Sequence, residues 1–366
     1  MAGSITRYDT ANGPRYRVRY RKPDKSQTDK RGFKTKKEAQ LYLASVTVSK
    51  AKGDYIDPVE GRKTVSAFHN AWKAERIDPL KPSSQHAMTT AWRVHVEPKW
   101  GHRQLSGIHR SEIAEWIAEL NKVRAPQTVR RVIFVLSSIL AIAARERAVN
   151  MNPAVGLQLP KKQRKPARYL THPQVAVLAT CTANDTERTL VELFAYAGPR
   201  WGEAAALRVR HLNMLRQRIR IEDNAVIVDG EYKIGTPKQG TARDIPMPTH
   251  LVKPLAALCE GKGPDDFVFG DGHQPLPYPH ATSGWFVKAV RAAQRIDATI
   301  PPITPHDLRH TAASLAVSAG ANVKVVQRML GHASAAMTLD VYAELFEGDL
   351  DSVAQAMSAA RNAAAS

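Results

Sequence analysis

Three segments in the second half of the chain hold arginine, histidine and tyrosine side chains at spacings that suit a reaction at a phosphate group. The first segment runs from Gly198 to Glu203. Its proline suits the first turn of a helix, so Arg200 is predicted at a helix start with Glu203 one turn further on. A guanidinium is always protonated, and its planar fork of donors matches phosphate oxygens. A purely structural pair between Arg200 and Glu203 is the alternative.

The second segment runs from Thr304 to His310. Thr304 is predicted to cap a helix, with Asp307 in the capping-box position. His306 and Arg309 then lie one turn apart on the same helix face, at the positive end of the helix dipole. A helix start of this kind attracts an anion.

The third segment runs from Leu330 to Tyr342 and begins at the end of a helix predicted over 322–330. Gly331 is predicted to end that helix and to leave His332 in a loop, because glycine adopts the left-handed conformation common at helix ends. Tyr342 follows ten residues later. Taken alone, Tyr342 lies between apolar neighbours and suits a core position.

The histidines of these segments also suggest a zinc site as an alternative. The candidate ligands are His306, His310 and His332. Arg309 would lie among them, and a cation beside a metal is unfavourable. The sequence contains neither a cysteine pair at zinc-site spacing nor a His-Glu-x-x-His helix, so it favours an anion site.

An α+β region over 161–350 carries all three segments. Helices alternate there with short strands predicted over 218–222, 225–228, 231–234 and 243–247. Asp229 and Gly230 between apolar runs are a strong hairpin signal. Lys238 lies in the loop before the last strand. The region begins with a basic linker over 161–168, which suits a hinge across a phosphate backbone or a plain connector. The residues of this linker predicted to bind DNA are Lys161, Lys162, Arg164 and Lys165.

Two smaller regions precede this one. Residues 57–160 are predicted as a four-helix domain, because apolar residues recur there at helical spacing. Its most apolar stretch, Val132 to Ala144, covers thirteen residues. A membrane span needs about 20, so this stretch is predicted to be a buried helix. The tail over 351–366 is rich in alanine and is predicted as a helix without a local partner.

Residues 1–56 are predicted as a three-stranded sheet backed by one helix. A strict alternation of arginine with apolar residues predicts the central strand, with one face basic; the basic residues are Arg15, Arg17, Arg19 and Arg21. Such a face is either solvated surface or a phosphate-binding surface. The strand contains no interleaved acid, so the second interpretation is favoured.

The composition agrees with a polyanionic partner. The formal net charge is +19 and the sequence pI is about 10.0, which for a protein with 43% apolar residues favours nucleic acid binding. Two cysteines cannot form a framework of disulfides and fit a reducing cytosol. No apolar leader is recognisable in the first residues, so a cytoplasmic location is expected.

The segments taken together closely resemble the tyrosine recombinase (phage integrase) family. The shared features are Arg-x-x-Glu, a lysine in a β-hairpin loop, His-x-x-Arg, Leu-Gly-His and a tyrosine ten residues on. Residues 57–160 resemble the core-binding domain of that family, and residues 1–56 resemble the arm-type DNA-binding domain of lambda-type integrases. The implied fold is mainly α with small β-sheets.

The resemblance implies a site-specific recombinase that integrates or excises phage or mobile-element DNA. It would act through a 3′-phosphotyrosine intermediate and a Holliday junction. Tyr342 would be the nucleophile, and Arg200 and Arg309 would stabilise the transition state. His306 and His332 would hydrogen-bond the same phosphate, and His306 could help to deprotonate the tyrosine.

When the tyrosine attacks the DNA phosphate, the 5′-oxygen of the cut strand leaves and needs a proton. The resemblance implies a lysine as the donor of that proton. That donor would be Lys238, or Lys233 as the fallback, since the loop departs slightly from the family pattern. Glu203 would orient Arg200 or a neighbouring histidine. Neither a metal nor a nucleotide cofactor is implied.

The implied partners are core-type and arm-type duplex DNA, other copies of the chain in a tetramer, an excision factor and a DNA-bending host protein. The expected location is the cytoplasm, at the host nucleoid, without membrane attachment. A type IB topoisomerase and a non-catalytic DNA-binding regulator are the alternative functions.

Overall fold

The computed structural model describes residues 3–23, 25–52, 55, 60–161, 168–237, 241–342, 354, 357–359 and 361–362 of the 366-residue chain. The chain divides into two compact units, Met1–Arg164 and Lys165–Ser366. The division falls within the predicted basic linker. The described elements are mostly helices with small sheets, which confirms the predicted fold class.

The N-terminal sheet is antiparallel, with β2 in the centre. Its elements are β1 (Ser4–Thr10), β2 (Gly13–Arg21), β3 (Gln27–Phe33) and the helix α1 (Lys36–Lys52) that packs on it. The apolar residues of β2 face α1, so that Val18 and Tyr20 are buried with Ala39. Thr35 caps the start of this helix, because its Oγ1 accepts a hydrogen bond from the backbone N–H of Glu38. The predicted sheet and helix are confirmed.

The basic face of β2 carries Arg15, Arg17, Arg19 and Arg21. The neighbouring strand places Asp29 opposite Arg19, and the Asp29 carboxylate lies 3.8 Å from Arg17 and 2.9 Å from Arg31. The hydrogen bond from Arg31 lowers the pKa of Asp29. The face therefore does contain an acid, which alternation within a single strand could not reveal. Arg19 and Arg21 are exposed.

The rest of the first unit is helical and has its own core. Its helices are α2 (His69–Trp72), α3 (Pro82–Ala91), α4 (Arg110–Val123) and α5 (Pro126–Arg145). Helix α3 is followed directly by π-helical turns over Trp92–Gly101. Those turns contain Pro98, which has no N–H to donate and interrupts α-helical hydrogen bonding.

Helix α5 is the central helix of this region. It is the one helix in the described part of the chain that is long and apolar enough to cross a membrane by length and composition. Its apolar stripe is buried against the neighbouring helices instead, from Val129 to Ala143. Trp72 Nε1 donates to Ser138 Oγ at 2.7 Å and ties α2 to this helix. This packing is that of the buried helix predicted from the sequence.

The second unit surrounds a larger core that includes Phe194, Phe269 and Phe286. Its helices are α6 (His172–Thr180), α7 (Asp185–Tyr196), α8 (Trp201–Ala205), α9 (Thr249–Cys259), α10 (Trp285–Ile296), α11 (Pro305–Ser318), α12 (Val323–Leu330) and α13 (Ala335–Tyr342). Helix α11 packs against α7, which brings the second predicted segment beside the first.

The strands described in this unit form two separate sheets. They are β4 (Leu212–Asn213), β5 (Arg218–Ile221), β6 (Asn224–Val228), β7 (Glu231–Gly235) and β8 (Arg243–Pro246). One sheet has the order β4-β5-β8, and the hairpin β6-β7 forms the other. Asp229 and Gly230 turn that hairpin with φ of 54° and 84°, as the Asp-Gly signal predicts.

Several predicted features lie outside the described residues. They include Lys162, Arg164 and Lys165 of the linker, and Lys238. Lys161 is described and exposed. In the tail predicted as a helix over 351–366, the described residues are 354, 357–359 and 361–362, and they are helical.

Candidate active site

Arg200 lies at the N-terminus of α8, where the sequence predicts it. The chain reaches α8 through Gly198, whose φ of +65° and close packing against two helices exclude a side chain. Arg200 Nη1 donates to Glu203 Oε1 at 2.9 Å, and Nη2 donates to the Gly331 carbonyl at 3.4 Å. One guanidinium therefore links the first segment to the third.

Arg309 completes the convergence of the three segments. It is 3% exposed, and Nη1 donates to the Gly198 carbonyl at 2.6 Å. Nη2 donates to the Leu330 carbonyl. Burial, followed by the charge of Arg200, lowers the pKa of Arg309 to about 9, which leaves the guanidinium protonated at neutral pH. A cation thus lies where the segments meet.

Glu203 is the buried acid of this site, and Arg243 is its main partner. The carboxylate accepts from Arg243 Nη1 at 3.0 Å and from Nη2 at 2.7 Å, a two-point contact that favours the charged form. Burial alone would raise the pKa of Glu203, but the hydrogen bonds and charges of Arg243 and Arg200 hold it below the usual value. Arg243 Nε also donates to the Met329 carbonyl at 3.1 Å. The first residue of β8 therefore supports both the first and the third segment.

Replacing Arg243 with methionine is expected to lower the free energy of unfolding by about 3 kcal/mol, because it leaves a buried carboxylate with one cation instead of two. Urea denaturation of the full chain measures this. In the double variant with Glu203→Gln, the uncompensated charge is gone and part of the stability should return. Equal stability of the single and double variants would contradict this account.

Tyr342 ends helix α13 and is 2% exposed. Its Oη lies 2.7 Å from His310 Nδ1 on α11. Burial raises the pKa of Tyr342 to about 12, and Arg309 opposes that rise. The tyrosine is thus beside the site and protonated at neutral pH, so it needs assistance to act as a nucleophile.

His306 lies one turn before His310 on the same helix, and its side chain is exposed. The two imidazole rings are 5.3 Å apart and nearly perpendicular. Partial desolvation, followed by electrostatic interactions with His310 and Arg309, lowers the pKa of His306. His306 is therefore a neutral hydrogen-bonding group at the mouth of the site at pH 7.

His332 follows the left-handed Gly331, which has a φ of +62°. A Cβ at Gly331 would come within 2.9 Å of the Arg243 side chain, so the turn requires glycine. His332 Nδ1 lies 3.0 Å from Thr338 Oγ1. Burial, followed by the charge of Arg309, lowers the pKa of His332 to about 4, so the ring is neutral at pH 7.

The lysine assignment stays a prediction. Lys238 lies outside the described residues. The fallback, Lys233, lies on β7 with Nζ 2.6 Å from Glu231 Oε2, and its side chain is half exposed. A surface pair of this kind is weak and does not prevent Lys233 from turning elsewhere.

The site carries more positive than negative charge. Arg200, Arg243 and Arg309 surround one buried carboxylate, that of Glu203. Neutral histidine rings adjoin these cations. The arrangement can bind an anion and stabilise charge that develops on it.

The side chains that could share a metal ion in the structure are not the histidines that the sequence suggested as zinc ligands. In the described ranges, the cluster of His, Cys, Asp and Glu donor atoms close enough to share a metal consists of His211, Glu222 and Asp223. His211 Nδ1 accepts from the Arg208 backbone N–H at 3.1 Å, and its Nε2 lies 2.9 Å from Glu222 Oε1. His211 and Glu222 therefore form a histidine–carboxylate pair next to the short strands β4 and β5.

Comparison with known proteins agrees with the residue pattern. The phage integrase family model matches residues 168–348, and an arm DNA-binding domain model matches residues 6–50. The chain belongs to the phage integrase family. It is a tyrosine-type site-specific recombinase. A tyrosine recombinase of Thermosipho africanus (strain TCF52B) is 26% identical over 245 residues, which cover 64% of this chain and 80% of the relative.

The recombinase also shares its fold with solved integrases. The Tn1549 transposon integrase in complex with a circular intermediate DNA has a TM-score of 0.62 at 20% identity, over 76% of this chain and 95% of that one. A lambda integrase, solved as a tetramer bound to a Holliday junction, has a TM-score of 0.57 at 18% identity. That match covers 90% of this chain and 95% of the lambda integrase chain.

The sequence analysis gave no catalytic role to two residues of the site, Arg243 and His310. Arg243 opens a short strand far along the chain from Glu203, and no spacing rule links them. His310 follows His306 by four residues on a helix, which places both on one face, and that spacing could have flagged it. The sequence suggests His310 only as a candidate zinc ligand.

Proposed function

We propose that this recombinase cuts and rejoins attachment-site DNA through a 3′-phosphotyrosine intermediate and a Holliday junction, and so integrates or excises phage or mobile-element DNA. The observation that carries the proposal is the convergence of Arg200, Arg309 and Tyr342 from three separate segments at one cationic site. A DNA-binding protein without catalytic activity would not need a tyrosine hydroxyl beside the buried Arg309 of such a site.

The roles follow from the chemistry of phosphoryl transfer. Attack by Tyr342 Oη on a DNA phosphorus creates a pentacoordinate transition state with extra charge on its oxygens. Arg200 and Arg309 can donate to those oxygens as charge-assisted, fork-shaped donors. His306 and His332 are neutral at pH 7 and can each donate one ring N–H to the same phosphate.

The departing 5′-oxygen needs a proton as the P–O bond breaks. Lys238 is the proposed donor, with Lys233 as the fallback on the neighbouring hairpin. Glu203 positions Arg200 by accepting its Nη1 and backbone N–H, at 2.9 and 2.8 Å. The phosphotyrosine keeps the energy of the broken bond, so rejoining requires no nucleotide and no metal.

The partners are proposed from the family and its solved members. Lambda integrases have been solved as a dimer bound to a core site and as a tetramer bound to a Holliday junction. We infer that this chain likewise binds duplex DNA as a homotetramer, at core-type and arm-type sites. An excision factor, a DNA-bending host protein and a location at the nucleoid are proposed from the family resemblance alone. The proposed domains are 1–56, 57–160 and 161–350, with the tail 351–366.

The basic face of the N-terminal sheet is the proposed arm-DNA surface. Replacing the exposed pair Arg19 and Arg21 with glutamine in the full chain should reduce the slope of log K against log salt by about 0.9 for each phosphate that is no longer neutralised. Arg17→Gln should reduce the slope less, because Arg17 lies 3.8 Å from Asp29 and is already partly neutralised. Fluorescence anisotropy on a random-sequence 40-bp duplex measures the slope. An unchanged slope in the double variant would identify a solvated face.

Covalent trapping tests the proposed function directly. The core site can be selected from random duplexes by the full-length Tyr342→Phe protein and then prepared with a nick beside the scissile phosphate. The wild-type chain should form a protease-sensitive adduct at a 3′-phosphate, mapped to Tyr342 by mass spectrometry. Absence of an adduct would favour the DNA-binding regulator. Relaxation of plasmids without any exchange between two sites would favour the topoisomerase.

A further inference from the structure

The hydroxyl of Tyr342 has a hydrogen-bond partner to which the proposed roles give no task. His310 Nδ1 lies 2.7 Å from Tyr342 Oη, and the two rings are 5.6 Å apart at 58°. Tyr342 is 2% exposed, so bulk water has little access to the hydroxyl. A protonated phenol can donate to an imidazole nitrogen only when that nitrogen carries no proton.

We propose that His310 is the general base of this recombinase and takes the proton of Tyr342 through Nδ1 as the phenolic oxygen attacks. The inference rests on the proposed function. The Oη–P bond forms, the bond between phosphorus and the 5′-oxygen breaks, and that oxygen leaves with a proton from the proposed lysine acid. His310 becomes an imidazolium with protons on both ring nitrogens. During rejoining the 5′-hydroxyl gives its proton back to that lysine as it attacks phosphorus, and His310 returns the Nδ1 proton to Oη as the Oη–P bond breaks.

The surroundings of His310 keep its ring in the form that can accept a proton. Charged and titratable groups face it from three elements: His306, Asp307 and Arg309 on α11, Tyr342 on α13, and His332 in the loop after α12. Burial lowers the pKa of His310, Asp307 opposes this, and Arg309 adds to it. The ring is therefore neutral at pH 7, with Nδ1 available to the tyrosine.

Helix α11 carries two histidines, one turn apart, that suit different roles. His306 and His310 are four residues apart, so they share a face of α11 while lying at different depths. His306 is exposed, and His310 is half-buried against Tyr342. This arrangement suits His306 for the phosphate of an incoming duplex. It places His310, and not His306 as the family resemblance implies, in contact with the nucleophile. The tyrosinate that forms is also close to Arg309, whose charge lowers the pKa of Tyr342.

The test replaces His310 with asparagine in the full chain. Asparagine can keep an acceptor oxygen near the position of Nδ1, but it cannot hold a proton at neutral pH. His310→Ala removes both properties. His273→Asn, at an exposed histidine in the loop between α9 and α10, is the matched control. The readout is the single-turnover rate of adduct formation on the nicked core duplex selected by the Tyr342→Phe protein.

His310→Asn is expected to slow adduct formation at pH 7 by about 10²-fold or more, the usual size of general-base catalysis. Its rate should then rise about tenfold per pH unit from 7 to 9, because the fraction of free tyrosinate rises in that way below the tyrosine pKa. Wild type and His273→Asn should be nearly flat over the same range. Melting temperature and affinity for the core duplex show that the variant is folded, and His310→Gln replaces it if it is not.

Two results would overturn the role of His310 without affecting the proposed function. A wild-type rate and pH profile in His310→Asn would mean that the contact only positions the hydroxyl. A faster rate would mean that the contact holds Tyr342 in a resting state. By contrast, an adduct formed by Tyr342→Phe would overturn the proposed function itself.

Discussion

Tyr342→Phe is expected to reduce formation of the covalent DNA adduct by at least about 10⁴-fold, by comparison with the removal of other enzymes' nucleophiles. The change removes one oxygen and leaves the ring in its pocket, so the packing of α13 on α11 and α12 persists. Removal of the hydrogen bond to His310 should cost only about 1 kcal/mol of stability. Binding to the selected core duplex should be unchanged.

The measurement is a denaturing gel of protein mixed with the nicked core duplex, together with anisotropy for binding. Tyr169→Phe provides a matched control, since this tyrosine is 43% exposed and lies outside the three segments. An undiminished adduct in Tyr342→Phe would remove Tyr342 as the nucleophile. Loss of DNA binding together with the adduct would show that the ring has a structural role in the interface.

Arg309→Lys is expected to slow adduct formation by about 10²–10³-fold, the usual cost of removing one transition-state donor. Lysine keeps the charge, but its single ammonium cannot reproduce the fork that joins the Gly198 and Leu330 carbonyls. One buried carbonyl is then left without a donor, which should lower the free energy of unfolding by about 1–3 kcal/mol. Single-turnover kinetics and urea denaturation measure the two effects separately.

Arg200→Lys distinguishes catalysis from stability. The Arg200 side chain is 22% exposed, and Glu203 keeps Arg243 when Arg200 is changed. We therefore expect a similar reduction in rate with a smaller reduction in stability. Arg295→Lys, at an exposed position on α10, should change neither quantity. A rate for Arg309→Lys within about threefold of wild type would contradict the proposed role, because it falls far short of the effect of removing a transition-state donor.

The sequence alone predicted the elements that depend on local physics. The alternation of arginine and apolar residues predicted β2, and the Asp-Gly pair predicted the turn between β6 and β7. The capping pattern from Thr304 to Asp307 predicted the start of α11, where the Thr304 N–H donates to Asp307 Oδ2 at 2.7 Å. Periods and caps involve neighbours a few residues apart, so they can be read from the chain directly.

The order of the motifs also predicted the family, because several weak signals in a fixed order are specific together. It did not reveal how the side chains pair. Only the fold brought Arg243 to Glu203, His310 to Tyr342, and Asp29 to the basic face of β2. These pairs join residues distant in sequence, and their formation depends on which helices and strands pack together. Burial then sets the charge states of the site, since desolvation depends on the whole surrounding structure and not on sequence neighbours.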